Sequence, residues 1–103
     1  MFTGKEDHQI SLSDASSMTK TYRQSVSDGS RKGGFFGKDA IESILAQEGC
    51  VGIRYYHGIN SDSQPVIILV GAEANENDLH TGELCEFAEP CPTRCSENNP
   101  LNS

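Results

Sequence analysis

The sequence has no tryptophan, and four phenylalanines with three tyrosines are too few to line a long aromatic binding surface. It also lacks a long apolar run. The longest is Val66 to Val70, far short of the ~20 residues that a membrane-spanning helix needs. Positive charge is scarce: eight basic against 15 acidic side chains leave a net charge of −7. The deficit is local. Residues 1–58 hold seven acids and seven bases, whereas residues 59–103 hold eight acids and one base, Arg94. A surface of that sign repels nucleic-acid phosphates and anionic membranes, so neither is an expected partner. Its plainest role is solubility.

The N-terminus, Met1 to His8, is polar and has no apolar stretch of the kind a secretory leader carries. The expected location is therefore cytoplasmic. In a reducing compartment, Cys50, Cys85, Cys91 and Cys95 are expected as thiols or metal ligands before disulfides.

With 103 residues and 35% hydrophobic side chains, the chain reads as one small domain with a modest core. The expected organisation is a loose arm over 1–10, one α+β domain over 11–95 and a polar tail over 96–103. Ser11 with Asp14 three residues on makes an approximate capping box. It opens a helix over about 12–25, whose apolar face is Leu12, Ala15, Met18, Tyr22 and Val26. Residues 27–34 are turn chemistry. A second helix is expected over about 38–48, with Phe36 before it, Ile41, Ile44 and Leu45 on its apolar face, and Gly49 as a left-handed cap.

Strands are expected over about 50–57 and 65–71, joined by the polar loop 58–64, with a possible third short strand near 83–88. Val51, Ile53 and Tyr55 alternate against Cys50, Gly52, Arg54 and Tyr56. Val66 to Val70 is apolar on both faces, as a central covered strand is. The expected architecture is two helices on one face of a small antiparallel sheet. What covers the other face is open: a third strand, the C-terminal segment or a second copy of the chain.

The densest chemistry is His80, Cys85, Cys91 and Cys95, all within 16 residues. Three readings compete. Cys85, Cys91 and Cys95 with His80 or Cys50 would supply four zinc ligands. Cys91 and Cys95 would make a disulfide or a reversible thiol pair. Unpaired thiols would simply pack. The Cys-x3-Cys spacing departs from the Cys-x2-Cys pair of zinc and thioredoxin-type sites, and Arg94 beside Cys95 is the only neighbour that would lower a thiol pKa.

A second candidate is the basic, Gly-rich stretch 31–38. Arg31, Lys32, Gly37 and Lys38 would bind an anion at a helix N-terminus. It is not a nucleotide phosphate loop, because Gly33 to Gly37 is one residue short and Asp39 stands where Ser or Thr is needed. The Asn- and Asp-rich stretches 60–64 and 75–83 do not match a calcium loop. His57 with Tyr56 and Arg54 is the best pocket guess on the sheet. No catalytic set emerges, and the reading leans away from an enzyme.

At Gly49-Cys50-Val51-Gly52-Ile53-Arg54-Tyr55-Tyr56, Pro65 to Gly71 and Pro90-Cys91-Pro92-Thr93-Arg94-Cys95, the chain resembles a group of short uncharacterised bacterial proteins. The shared pattern covers about residues 10–95 and implies a bacterial domain, with no activity or cofactor attached. The chain departs from that pattern over Glu73 to Asp78, where a Gly-containing turn is expected. Two functions remain. One is an interaction or structural module that binds a protein partner or self-associates through its sheet. The other is a zinc- or thiol-redox-dependent protein working through the C-terminal cysteines.

Overall fold

The computed structural model describes residues Met1–Ser103. The chain is α+β, with two helices and two antiparallel sheets of two and three strands. In order these are α1 (Leu12–Ser25), β1 (Gly33–Phe35), α2 (Lys38–Leu45), β2 (Cys50–Ile59), β3 (Pro65–Glu73), β4 (Leu84–Cys85) and β5 (Glu89–Cys91). They fall into two compact units. One joins Met1–Asp7 to Phe36–Ala88, the other His8–Phe35 to Glu89–Ser103. This division cuts across the expected 11–95 domain, because β1 pairs with β5 over a long sequence separation.

In the first unit the sheet order is β2-β3-β4. β2 and β3 form the expected hairpin, with Tyr56 opposite Ile68 and Arg54 opposite Val70. Alternation along this register puts Gly52, Arg54, Tyr56, Val70 and Ala72 on one face, and Ile53, Tyr55, His57, Leu69 and Gly71 on the other. A bulge between Cys50 and Gly52 shifts Cys50 out of the alternation expected for it, onto the second face.

α2 packs against β2 and β3, and its Ile44 is fully buried. It ends at Leu45, short of the expected Glu48, and Gly49 takes the left-handed conformation foreseen there (φ 81°). Gln47 ties its C-terminal end down. Its Nε2 donates to the Ile44 carbonyl (2.9 Å), and its Oε1 accepts the Glu83 N–H (2.8 Å) just before β4.

β3 is central, as its doubly apolar sequence requires, and Leu69 to Ala72 is the only run of buried residues in the chain. Beyond it the chain turns back tightly. The Glu73 N–H donates to Asn77 O, the Glu76 N–H to Glu73 O, and Ala72 bridges Asp78. Glu76 (φ 74°) supplies the left-handed position for which a glycine is the usual choice. The first residues are not a loose arm. The Phe2 N–H donates to Ala74 O (2.9 Å), and the Phe2 ring lies 5.5 Å from the Arg54 guanidinium carbon. They therefore reach the Arg54 side of the sheet, one answer to the question of what lies on it.

The second unit contains no fully buried residue. Its helix α1 starts at Ser11, whose hydroxyl accepts the Asp14 N–H (3.0 Å), as the capping pattern demands. The stripe expected to face a core does not: Leu12, Met18 and Tyr22 are exposed. α1 belongs to this second unit together with β1 and β5. This unit is held by polar contacts and a crosslink. β1 pairs with β5, and Arg23 donates to the carbonyls of Leu101 and Ser103 (2.6 Å each). Lys32 Nζ donates to Asn102 O (3.0 Å), and Cys91 is disulfide-bonded to Cys95. Phe35 is exposed on β1.

Candidate functional site

Arg54 and Tyr56 stand two residues apart on β2, hence on one face, and both converge on Asp78. Asp78 arrives there because the turn after β3 folds it back beside Ala72, on the same face. The Arg54 Nη1 makes an ion pair with Asp78 Oδ1 and also donates to the Glu76 carbonyl (2.9 Å). The Tyr56 hydroxyl donates to the other oxygen, Oδ2 (2.6 Å). The Arg54 and Asp78 side chains are only 28% and 21% exposed, so water screens this contact less than the other ion pairs. Phe2 beside the guanidinium adds a cation–π contact.

The charges follow this geometry. The Tyr56 hydroxyl, then Arg54, hold the Asp78 carboxyl below its ordinary value of 3.8. The bond to Asp78 in turn raises the Tyr56 phenol above 10.0, because only the protonated hydroxyl donates. It raises Arg54 as well. At the N-terminus the Thr3 N–H leads a set of donors that pull Glu6 from 4.5 down to about 2, with bonds of 2.8 Å from Thr3 N–H and 2.9 Å from Gly4 N–H.

A carboxylate whose pKa is depressed on folding stabilises fully above its unfolded value and loses that contribution as pH falls through its folded one. A phenol whose pKa is raised stabilises fully below its unfolded value and loses it as pH rises. The Arg54–Tyr56–Asp78 cluster should therefore act at full strength between about pH 5 and about pH 9. We expect the difference in Tm between wild type and Tyr56→Phe to be flat across that range and to shrink on either side. The Thr3 and Gly4 amide resonances should titrate with Glu6, with their midpoint at about pH 2 and not at 4.5. Thermal scans and amide NMR over a pH series check both.

His57 does not join this cluster. Alternation turns it to the opposite face, where its ring meets Tyr55 edge-on at 5.5 Å. Nor does the zinc set form. Cys91 and Cys95 are spent in their mutual disulfide, and no three His, Cys, Asp or Glu side chains gather where they could hold a metal ion. Cys85 is a free, half-buried thiol on β4, and Cys50 is free with its thiol toward the Gly52 carbonyl (3.2 Å). The His80 ring lies 3.4 Å from the Asp78 carbonyl.

The residues of the basic stretch are divided between the units. Arg31 and Lys32 belong to the second, where the Lys32 N–H donates to Cys91 O (2.7 Å) and its Nζ to Asn102. Gly37 and Lys38 belong to the first. Gly37 caps α2 without a side chain, and Lys38 pairs with Glu42 (3.8 Å). A pocket of about 190 Å³ lies instead along α1, lined by Met18, Thr19, Tyr22, Arg23 and Lys32, with both of its cations donating to the 101–103 carbonyls.

The remaining feature is the edge of the three-stranded sheet. No strand borders β2 on the side away from β3. The Asn60 N–H donates to Gln64 O (3.0 Å), which fixes the phase of the ladder. Gly58, Tyr56, Arg54 and Gly52 turn their backbone groups to β3, and Ile53, Tyr55, His57 and Ile59 turn theirs outward. The other long strand is better guarded: Pro65 has no N–H to offer, and β4 pairs with Leu69 and Val70. No helix is long and apolar enough to cross a membrane. Compared with protein-family models, with curated proteins and with solved structures, the chain matches none of them.

Proposed function

We propose that this chain is a small interaction module that self-associates by pairing the outer edge of β2 with the same edge of a second copy, antiparallel. The observation that carries this reading is a ten-residue strand with one neighbour. An edge of that length is a template for strand addition unless something blunts it. The bulge and the Gly4 backbone blunt only the Cys50–Gly52 end; from Ile53 to Ile59 the strand has no proline, no lysine and no acidic side chain in a chain of net charge −7. Tyr55 and Ile59, next to the outward-facing backbone, are exposed apolar side chains. An isologous pairing buries them against their own copies.

Proline placed at His57 removes an N–H that points away from β3, and an edge strand tolerates that. Proline at Tyr56 removes an N–H that bonds to β3. By sedimentation velocity across the micromolar range, the wild type is expected as a dimer. His57→Pro is expected as a folded monomer with Tm within a few degrees of wild type, and Tyr56→Pro as an unfolded chain. A monomeric wild type, or a dimeric His57→Pro, overturns the reading.

A further inference from the structure

We propose that the Cys91–Cys95 bond is a thiol–disulfide exchange site, opened in the folded protein by a dithiol reductant, and that its opening releases β5 from β1. This is independent of the pairing of β2. The bond starts from the C-terminal end of β5. Cys91 is the last residue of β5 and stands opposite Gly33 of β1, and its carbonyl accepts the Lys32 N–H (2.7 Å). Four residues on, Cys95 is exposed, so an attacking thiolate reaches its sulfur. Between them, the Arg94 N–H donates to Pro90 O (2.9 Å).

The second unit has no fully buried residue to hold these strands once the crosslink is gone, and β1 is Gly-Gly-Phe, with no residue buried. A crosslink closing so short a loop removes less entropy from the unfolded chain than one closing a long loop. Its effect is therefore local order, and the buried residues of Leu69–Ala72 do not depend on it.

The chemistry balances as a two-electron exchange. One thiolate of the reductant attacks the Cys95 sulfur, forming a mixed disulfide and expelling the Cys91 thiolate, which takes a proton from water. The second thiolate of the reductant attacks its own sulfur in that mixed disulfide, closing a cyclic disulfide and expelling the Cys95 thiolate, which is protonated in turn. The Cys91–Cys95 pair gains two electrons and the dithiol loses them. An oxidised thiol such as glutathione disulfide runs the exchange backward.

The test uses dithiothreitol without denaturant, followed by quenching, alkylation and mass spectrometry, with hydrogen exchange read by NMR on the same samples. Two alkylated cysteines, Cys50 and Cys85, are expected before reduction and four after it. On reduction the Lys32 and Arg94 amides should exchange about tenfold faster or more, while those of Leu69 to Ala72 hold. Glutathione disulfide should restore the starting rates. The double variant Cys91→Ser/Cys95→Ser should exchange like reduced wild type and ignore reductant. Reduction only in denaturant, unchanged Lys32 and Arg94 rates in the reduced protein, or equal acceleration in Leu69 to Ala72 would each overturn the proposal.

Discussion

Ile44→Ala is expected to lower the stability of the chain by about 2–5 kcal/mol, the range for an aliphatic side chain cut back to alanine in a core. The effect is large because the core is small. Only Ile44, Leu69, Val70 and Ala72 are buried hydrophobic residues, and Ile44 alone is at 0% exposure. Domains of this size hold about 5–15 kcal/mol in total, so one side chain decides a large share. At about 4–8 °C per kcal/mol, Tm should fall by roughly 10–40 °C in calorimetry. The next residue is the control. Leu45 stands beside Ile44 in the sequence but is 45% exposed, and Leu45→Ala should cost under about 1 kcal/mol. Equal losses from the two variants would mean that α2 packs on a different face.

That pair of residues also shows what the sequence reveals and what it hides. Periodicity marks Ile41, Ile44 and Leu45 as one apolar side of α2, yet it does not say which of two adjacent residues points inward. The β2–β3 hairpin is legible because alternation, the polar loop and Pro65 are all local signals. The ends of α1 are legible for the same reason. β1 and β5 are not. Gly33-Gly34-Phe35 and Glu89-Pro90-Cys91 have no period, and each is a strand only because the other lies beside it.

The same holds for Asp78. Arg54 and Tyr56 on one face announce the need for an acceptor, but 15 acidic side chains compete for that place. The register that delivers Asp78 is set by a turn in which Glu76 does what glycine usually does. The exposed stripe of α1 is the opposite case. Leu12, Met18 and Tyr22 have helical spacing without an interior behind them, and spacing alone does not distinguish the two.

Gly71→Val should destabilise the chain, although it swaps a poor strand residue for a good one in the middle of β3. The propensity gain is real but small, since glycine in a strand interior costs about 0.5–1 kcal/mol relative to alanine. Against it stands the space that Gly71 leaves. A Cβ there would lie 2.9 Å from Gln47 Nε2, 3.0 Å from Cys50 Sγ and 3.2 Å from Leu79 Cδ1. Gln47 is not free to swing away, because its two amide ends already bond the Ile44 carbonyl and the Glu83 N–H. It must either give up those bonds, each worth about 0.5–1.5 kcal/mol, or force the strand and helix apart. Overpacking alone costs about 1–3 kcal/mol, and the branched side chain meets contacts already too close for one carbon. The opposing terms leave a net loss of about 2–4 kcal/mol. Gly71→Val/Gln47→Ala should recover part of that loss relative to Gly71→Val, because the truncated side chain frees the space. Denaturant unfolding of the two variants measures it. A Gly71→Val chain at least as stable as wild type would show that Gln47 does not hold α2 to β3.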